Sequence, residues 1–133
     1  MTFERFEDVV AWQTARKLAR EVYMASAKGA FARDFGLRDQ VRRAVISMMA
    51  NIAEGFARRS DKEFVHYLFT AKGSFAEVQS HLYVALDQGY VDEKSFQQMF
   101  ALSDLYARQI SGLISFLTGQ PRREKPPDNV LRP

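Results

Sequence analysis

The stretch QVRRAVISMMANIAEGFARRS, residues 40–60, decides the fold of this chain. Its apolar residues recur three or four positions apart, which is the spacing of one face of an α-helix. A second set of polar residues recurs at the same spacing on another side of the same segment. The stretch therefore predicts the larger part of a helix over about residues 37–57, with an apolar face for a core and a separate, ordered polar face.

Three further segments have the same helical periodicity, and they cover about residues 8–26, 60–88 and 93–118. Ser60 and Glu63 have the spacing of a capping box at the start of the third helix, and Asp92 can cap the fourth. Short connections make consecutive helices antiparallel neighbours. The sequence therefore predicts an all-α fold, an antiparallel up-and-down four-helix bundle.

Length and composition indicate one domain. The chain has 133 residues, of which 47% are hydrophobic and 26% are charged, with a net charge of +3. We predict the bundle over residues 1–118 and a flexible basic tail over 119–133, which holds all 4 prolines.

No apolar run reaches the roughly 20 residues that cross a bilayer, and acids occupy the start of the chain, where a signal peptide has bases. We therefore expect a cytoplasmic protein with no membrane partner.

Sequence patterns of enzymes are weak in this chain. The absence of cysteine excludes thiolate nucleophiles and thiolate metal sites. Glu63 and His66 form one E-x-x-H turn, but a di-iron bundle needs a second such turn and two further glutamates. No P-loop, nucleophile elbow or dinucleotide fingerprint is present. We therefore expect no enzyme activity, no catalytic residues, no metal and no cofactor.

The polar face of residues 40–60 has a counterpart on the following helix. If the two helices form a hairpin about Ser60, residues whose numbers add up to about 120 lie at one height, because both helices rise by about 1.5 Å per residue. Arg43 then faces Glu77, Ser47 faces Gly73 and Ser74, Asn51 faces Thr70, and Glu54 faces His66. We interpret these residues as a structural polar seam between the helices or as a subunit interface, and we expect non-additive effects of Arg43→Ala and Glu77→Ala. The residues of this seam are Gln40, Arg43, Ser47, Asn51, Glu54, Ser74 and Glu77.

The second quarter of the chain is basic. Residues 28–62 carry 8 basic and 4 acidic groups. Such an asymmetry permits an anionic partner, although exposed arginines are more often a solvated surface. The candidate nucleic-acid-binding residues are Arg38, Arg42, Arg58, Arg59 and Lys62.

Three motifs extend this interpretation: Q-x-R-R-A from Gln40, N-I-A-E-G from Asn51 and A-K-G-S-x-x-E from Ala71. Together with FEDVVAWQTARKLAREVY at the start, they resemble the four-helix-bundle proteins encoded within intervening sequences of bacterial 23S ribosomal RNA genes. The resemblance covers roughly residues 6–117. It implies a bundle that assembles into a ring-like homo-oligomer, with a pentamer as the expected form, and it implies no catalytic residues. A more distant similarity links this family to the accessory proteins of diversity-generating retroelements, which bind nucleic acid and a reverse transcriptase.

Two functions are compatible with these observations. The first is a nucleic-acid-associated binding or scaffold protein, with RNA preferred over DNA because of the family context. The alternative is a structural oligomer that recruits another protein through its outer faces or its proline-rich tail. Salt dependence distinguishes them, because affinity that rests on phosphate contacts falls steeply as the salt concentration rises.

Overall fold

The structure is a computed structural model, and it describes residues 3–120. This part of the chain is helical and contains no strand. A short 3-10 turn over Phe6–Asp8 precedes five helices, which are α1 (Val10–Ser26), α2 (Gly29–Arg33), α3 (Phe35–Ala57), α4 (Asp61–Asp87) and α5 (Glu93–Thr118). The predicted all-α class is confirmed. The predicted flexible tail lies outside the described residues, apart from its first two positions.

The four long helices form an antiparallel up-and-down bundle. Each packs against two neighbours in the ring order α1, α3, α4, α5. Their apolar faces meet in one core, where Leu18, Met48, Leu68, Tyr106 and Ile110 are fully buried. Burial of such side chains supplies the main driving force for folding. None of the helices in residues 3–120 has the length and apolar composition needed to cross a bilayer.

The short helix α2 closes one end of the bundle and is not predicted by the sequence. Its buried Phe31 stacks on Tyr90, with ring centroids 5.3 Å apart. The Tyr90 hydroxyl donates to the Asp34 carboxylate at 2.9 Å, and this hydrogen bond raises the pKa of Tyr90. Asp34 also accepts the Leu37 amide at 3.1 Å and caps α3. Contacts distant in sequence therefore define this end of the fold.

The caps predicted for the third and fourth helices are formed. The Ser60 hydroxyl accepts the Glu63 amide at 3.4 Å, although the return bond of a full capping box is not formed. Asp92 accepts the Ser95 amide at 2.7 Å, and this backbone hydrogen bond lowers the pKa of the Asp92 carboxyl. Gly119 ends α5 in the left-handed region with a φ of 68°, which glycine adopts without strain. The boundaries of α4 and α5 thus follow from local sequence.

Helices α3 and α4 approach closely at Gly55. A Cβ atom built on Gly55 would lie 2.7 Å from the Tyr67 Cβ and 2.9 Å from the Phe64 Cδ1. Ordinary van der Waals contact between carbon atoms needs about 3.5–4.0 Å. The glycine of the N-I-A-E-G motif is therefore required by packing.

Candidate nucleic-acid interface and polar groove

Three of the candidate cations lie together at the α3–α4 turn, and we call Arg58, Arg59 and Lys62 the turn cations. The Arg58 guanidinium donates to the Tyr67 hydroxyl at 2.7 Å and lies 5.4 Å from the centre of that ring. This hydrogen bond raises the pKa of Arg58. Arg59 lies over the ring of Phe56 at 5.7 Å, with a positive φ of 57°. All three turn cations are exposed, and none forms an ion pair within residues 3–120.

Arg42 lies far from the turn cations and fastens α3 to α1. It is 16 residues before Arg58, which corresponds to about 24 Å along a helix. Its guanidinium donates to the Ser26 hydroxyl at 2.8 Å and to the Tyr23 carbonyl at 3.4 Å. It also lies 4.4 Å from the centre of the Tyr23 ring, within the range of a cation–π contact. Arg42 therefore has a structural role at the opposite end of the bundle.

Arg38 is at the same end as Arg42 and is also engaged within the chain. Its guanidinium donates to the Ala32 carbonyl at 3.0 Å and to the Asp39 carboxylate at 2.9 Å. It lies 4.8 Å from the centre of the Phe35 ring. The structure therefore divides the five candidate cations into two groups at opposite ends of the molecule and does not assemble them into one patch.

Five of the seven polar seam residues line an open groove between α3 and α4. The groove has a volume of about 380 Å³ and is lined by Gln40, Arg43, Ala44, Ser47, Ser74 and Glu77. At its side, the Ser74 hydroxyl donates to the Ser47 hydroxyl at 2.8 Å. The Asn51 amide donates to the same hydroxyl and to the Ser47 carbonyl, both at 2.9 Å. Ser47 and Ser74 therefore link the two helices at the height that the predicted hairpin register gives.

The other expected pairs of the seam are not formed. Arg43 and Glu77 are exposed, and no ion pair of 4.0 Å or less joins them in the described chain. Asn51 bonds back onto α3, while the Thr70 hydroxyl donates to the His66 carbonyl on its own helix at 3.4 Å. Glu54 likewise makes no hydrogen bond to His66, which packs edge-on against Tyr67 at 5.9 Å. Matched height does not make side chains point at each other, and exposed charges keep their hydration.

The separation of Arg43 and Glu77 changes the expected outcome of their double-mutant cycle. The sequence predicted non-additive losses for Arg43→Ala and Glu77→Ala, whereas the structure predicts additive ones. We expect the two effects on the free energy of unfolding to add within about 0.5 kcal/mol, as for residues without a shared partner. Urea unfolding of both single variants and the double variant checks this. A coupling energy above about 1 kcal/mol would show that the ion pair forms in solution.

A second cationic surface, which was not predicted from the sequence, lies between α1 and α5. Lys17 and Arg20 from α1 and Arg108 from α5 line the same exposed groove. Residues 1–27 carry 4 basic and 4 acidic groups, so the average charge of this segment conceals it. Three of those acids, Glu4, Glu7 and Asp8, precede α1, where Glu7 pairs with Arg5 at 2.8 Å. A charge count restricted to the helix would have found the surface, since α1 has 3 bases and 1 acid.

The described residues include two exposed cationic surfaces and no assembled metal centre. No group of three or more His, Asp or Glu side chains in residues 3–120 is placed to hold a metal ion. Glu63 and His66, the one E-x-x-H turn, are both exposed. The chemistry available at the α3–α4 turn is the attraction of cations for phosphate groups.

Comparison with known proteins places the chain in a family. The model of the family described as 23S rRNA-intervening sequence protein matches residues 7–112. A solved structure of a protein of unknown function from the S23 ribosomal protein family of Bacteroides thetaiotaomicron VPI-5482 is similar, with a TM-score of 0.70 and 21% sequence identity, covering 82% of this chain and 96% of that chain. At this identity the similarity shows a shared fold. No curated protein sequence matches the chain. Because the family model spans most of the bundle, the chain belongs to the 23S rRNA-intervening sequence protein family.

Proposed function

We propose that the protein is a non-enzymatic, homo-oligomeric scaffold, pentameric and cytoplasmic, that binds structured RNA through the turn cations. The observation that carries the proposal is the exposure of Arg58, Arg59 and Lys62 on one short turn at the end of the bundle. Helix caps and packing define the backbone of this turn, and Tyr67 holds the Arg58 guanidinium. Guanidinium and ammonium groups presented in this way suit phosphate oxygens.

Assembly increases the affinity for RNA beyond that of a single copy. Glu54 and Glu63 lie near enough to Arg58 to contribute to the rise of its pKa, so they also weaken the positive field of a single turn. A single copy is therefore expected to bind phosphate weakly. In an oligomer the turn is repeated, and the binding of several turns to one RNA raises the overall affinity through effective concentration.

The proposal predicts a salt-sensitive loss of RNA binding when the turn cations are removed. We expect Arg58→Ala, Arg59→Ala and Lys62→Ala together to weaken binding of a structured RNA by about tenfold or more at physiological salt. The slope of log K against log salt should also decrease, by up to about 0.9 for each lost phosphate contact. Fluorescence anisotropy over a salt series measures both quantities.

A matched control separates this site from general charge. Arg16→Ala, Arg33→Ala and Lys94→Ala together remove the same charge from exposed positions away from the turn. This control should change the affinity less than twofold. Equal losses in the two triple variants would contradict a specific role of the turn. Absence of saturable RNA binding at low salt, with the oligomer intact, would contradict RNA binding and favour a protein partner.

A further inference from the structure

An open furrow runs along the outer side of the α1–α5 interface. It consists of three consecutive cavities of about 190, 750 and 250 Å³. The first two share Glu21 and Gln98, and the third continues the line with Val10 and Phe116. On α1 the lining residues of the furrow extend from Val10 to Ala25, which corresponds to about 22 Å along the helix. This length suits a helix lying along it.

The furrow combines an apolar floor with a cationic rim. Leu102 and Leu105 form its middle, and the exposed apolar side chains Val10 and Phe116, at 57% and 60%, lie at one end. Along the rim are Lys17, Arg20, Lys28 and Arg108, against the single acid Glu21. No ion pair in the described chain neutralises these cations. The furrow therefore fits an amphipathic helix that has acidic residues beside its apolar face.

The outer face of α4 has the complementary properties. It exposes Phe69 at 51% and Val84 at 43%, separated by smaller residues, and it carries Glu77 and Asp87. Over its whole length α4 has 4 acids and 2 bases, whereas α1 has 3 bases and 1 acid. Charge and apolar surface thus match between two different faces of the same molecule.

Gly73 gives a second reason to place a partner against α4. It lies in the middle of this helix, where glycine costs about 1 kcal/mol relative to alanine. A Cβ atom at Gly73 would meet nothing within 4 Å in the chain, so internal packing does not require glycine there. Close approach of another backbone would require it, since glycine lets helices pack at short distance.

We propose that the outer face of α4 from a second copy of the chain docks in the α1–α5 furrow, with its acids against Lys17, Arg20 and Arg108. The inference rests on the homo-oligomer of the proposed function and names its contact surfaces. Because the two surfaces differ, the contact is head-to-tail, and every copy retains one furrow and one α4 face for the next. Such contacts close into rings when the rotation between copies allows. The tail is a poor occupant by charge, because residues 119–133 carry 4 bases and 2 acids.

Charge reversal tests the contact. Arg20→Glu and Glu77→Arg should each weaken assembly at least tenfold. The variant with both changes should recover most of it, because opposite charges then face each other again across the interface with their signs exchanged. Arg33→Glu, an exposed position outside the furrow, is the control and should leave assembly unchanged. Light scattering and sedimentation velocity over a concentration series give the mass and the dissociation constant.

A steric variant supplies an independent readout. Gly73→Leu introduces bulk where the single chain has open space, so it should keep the helix content of the wild type while blocking assembly. Circular dichroism and sedimentation of the same sample measure both.

An oligomer that persists unchanged in Arg20→Glu, Glu77→Arg and Gly73→Leu would overturn the furrow contact but not the proposed oligomer. A wild-type chain that sediments as a monomer at tens of micromolar would overturn the oligomer itself. RNA binding is measured separately and does not decide either outcome.

Discussion

Replacing Gly55 with alanine is expected to lower the free energy of unfolding by about 3 kcal/mol, at the upper end of the cost of overpacking a core. The added methyl group would lie 2.7 Å from the Tyr67 Cβ and 2.9 Å from the Phe64 Cδ1. The Tyr67 Cβ is anchored to the backbone and cannot turn away as the end of a long side chain could. Helices α3 and α4 would have to move apart, and this would loosen the packing around residue 55, including the contacts of the buried Phe64.

Gly73→Ala is the matched control, because Gly73 also lies within a helix of the same hairpin. Its added methyl group meets nothing within 4 Å in the chain. We expect it to raise the stability of the single chain by up to about 1 kcal/mol through helix propensity. Urea midpoints at low protein concentration, where assembly contributes least, compare the two variants. A Gly55→Ala protein as stable as the wild type would show that α3 and α4 do not pack this closely in solution.

Replacing Tyr106 with alanine is expected to cost about 3–5 kcal/mol, the usual range for deletion of a buried aromatic side chain. Tyr106 is the largest fully buried side chain of the described core. Its hydroxyl donates to the Met48 carbonyl at 3.0 Å, which links α5 to α3 across the bundle. Since small domains have about 5–15 kcal/mol of stability, the loss would leave the bundle only marginally stable.

The control variant Tyr106→Phe keeps the ring and should cost only about 1 kcal/mol, the net value of one hydrogen bond. Similar losses in the two variants would show that packing around the ring contributes little.

The same residue predicts a pH dependence. Burial raises the pKa of the Tyr106 phenol well above its ordinary value, which is about 10 in an unfolded chain. A group with a raised pKa in the folded state contributes stability that is fully present below the unfolded pKa and is lost as the pH rises above it. Above about pH 10 the wild type should therefore lose more stability than Tyr106→Phe. Urea unfolding from pH 8 to 11 measures the difference, and parallel curves for the two proteins would contradict the assignment.

The long helices and their ends could be predicted from the sequence because their causes are local. Apolar spacing predicted α1, α3, α4 and α5, and Ser60 and Asp92 marked the starts of the last two. Helix α2 was missed because five residues are too short to show a period. Its position depends on the stacking of Phe31 on Tyr90, which are far apart in sequence.

The candidate sites depended more on tertiary structure. Two arginine doublets occur on α3 or at its end, Arg42–Arg43 and Arg58–Arg59. In the first doublet Arg42 links α3 to α1, whereas both residues of the second doublet lie on an exposed turn. Hairpin register correctly placed Ser47 beside Ser74, but it also suggested an ion pair between Arg43 and Glu77 that is not formed. Register defines height along the helices, whereas the direction of each side chain depends on what packs beside it.

By itself the sequence determined the helical class, the hairpin register and the family, because periodicity, caps and motifs are properties of neighbouring residues. Only the tertiary structure decided which motif glycine is enclosed, which arginines are available to a partner, and which helix faces remain uncovered. Gly55 and Gly73 cannot be distinguished by local sequence, but one faces Tyr67 and Phe64 across the hairpin and the other faces open space. The surroundings of a side chain are set by elements distant in the chain, and binding depends on those surroundings.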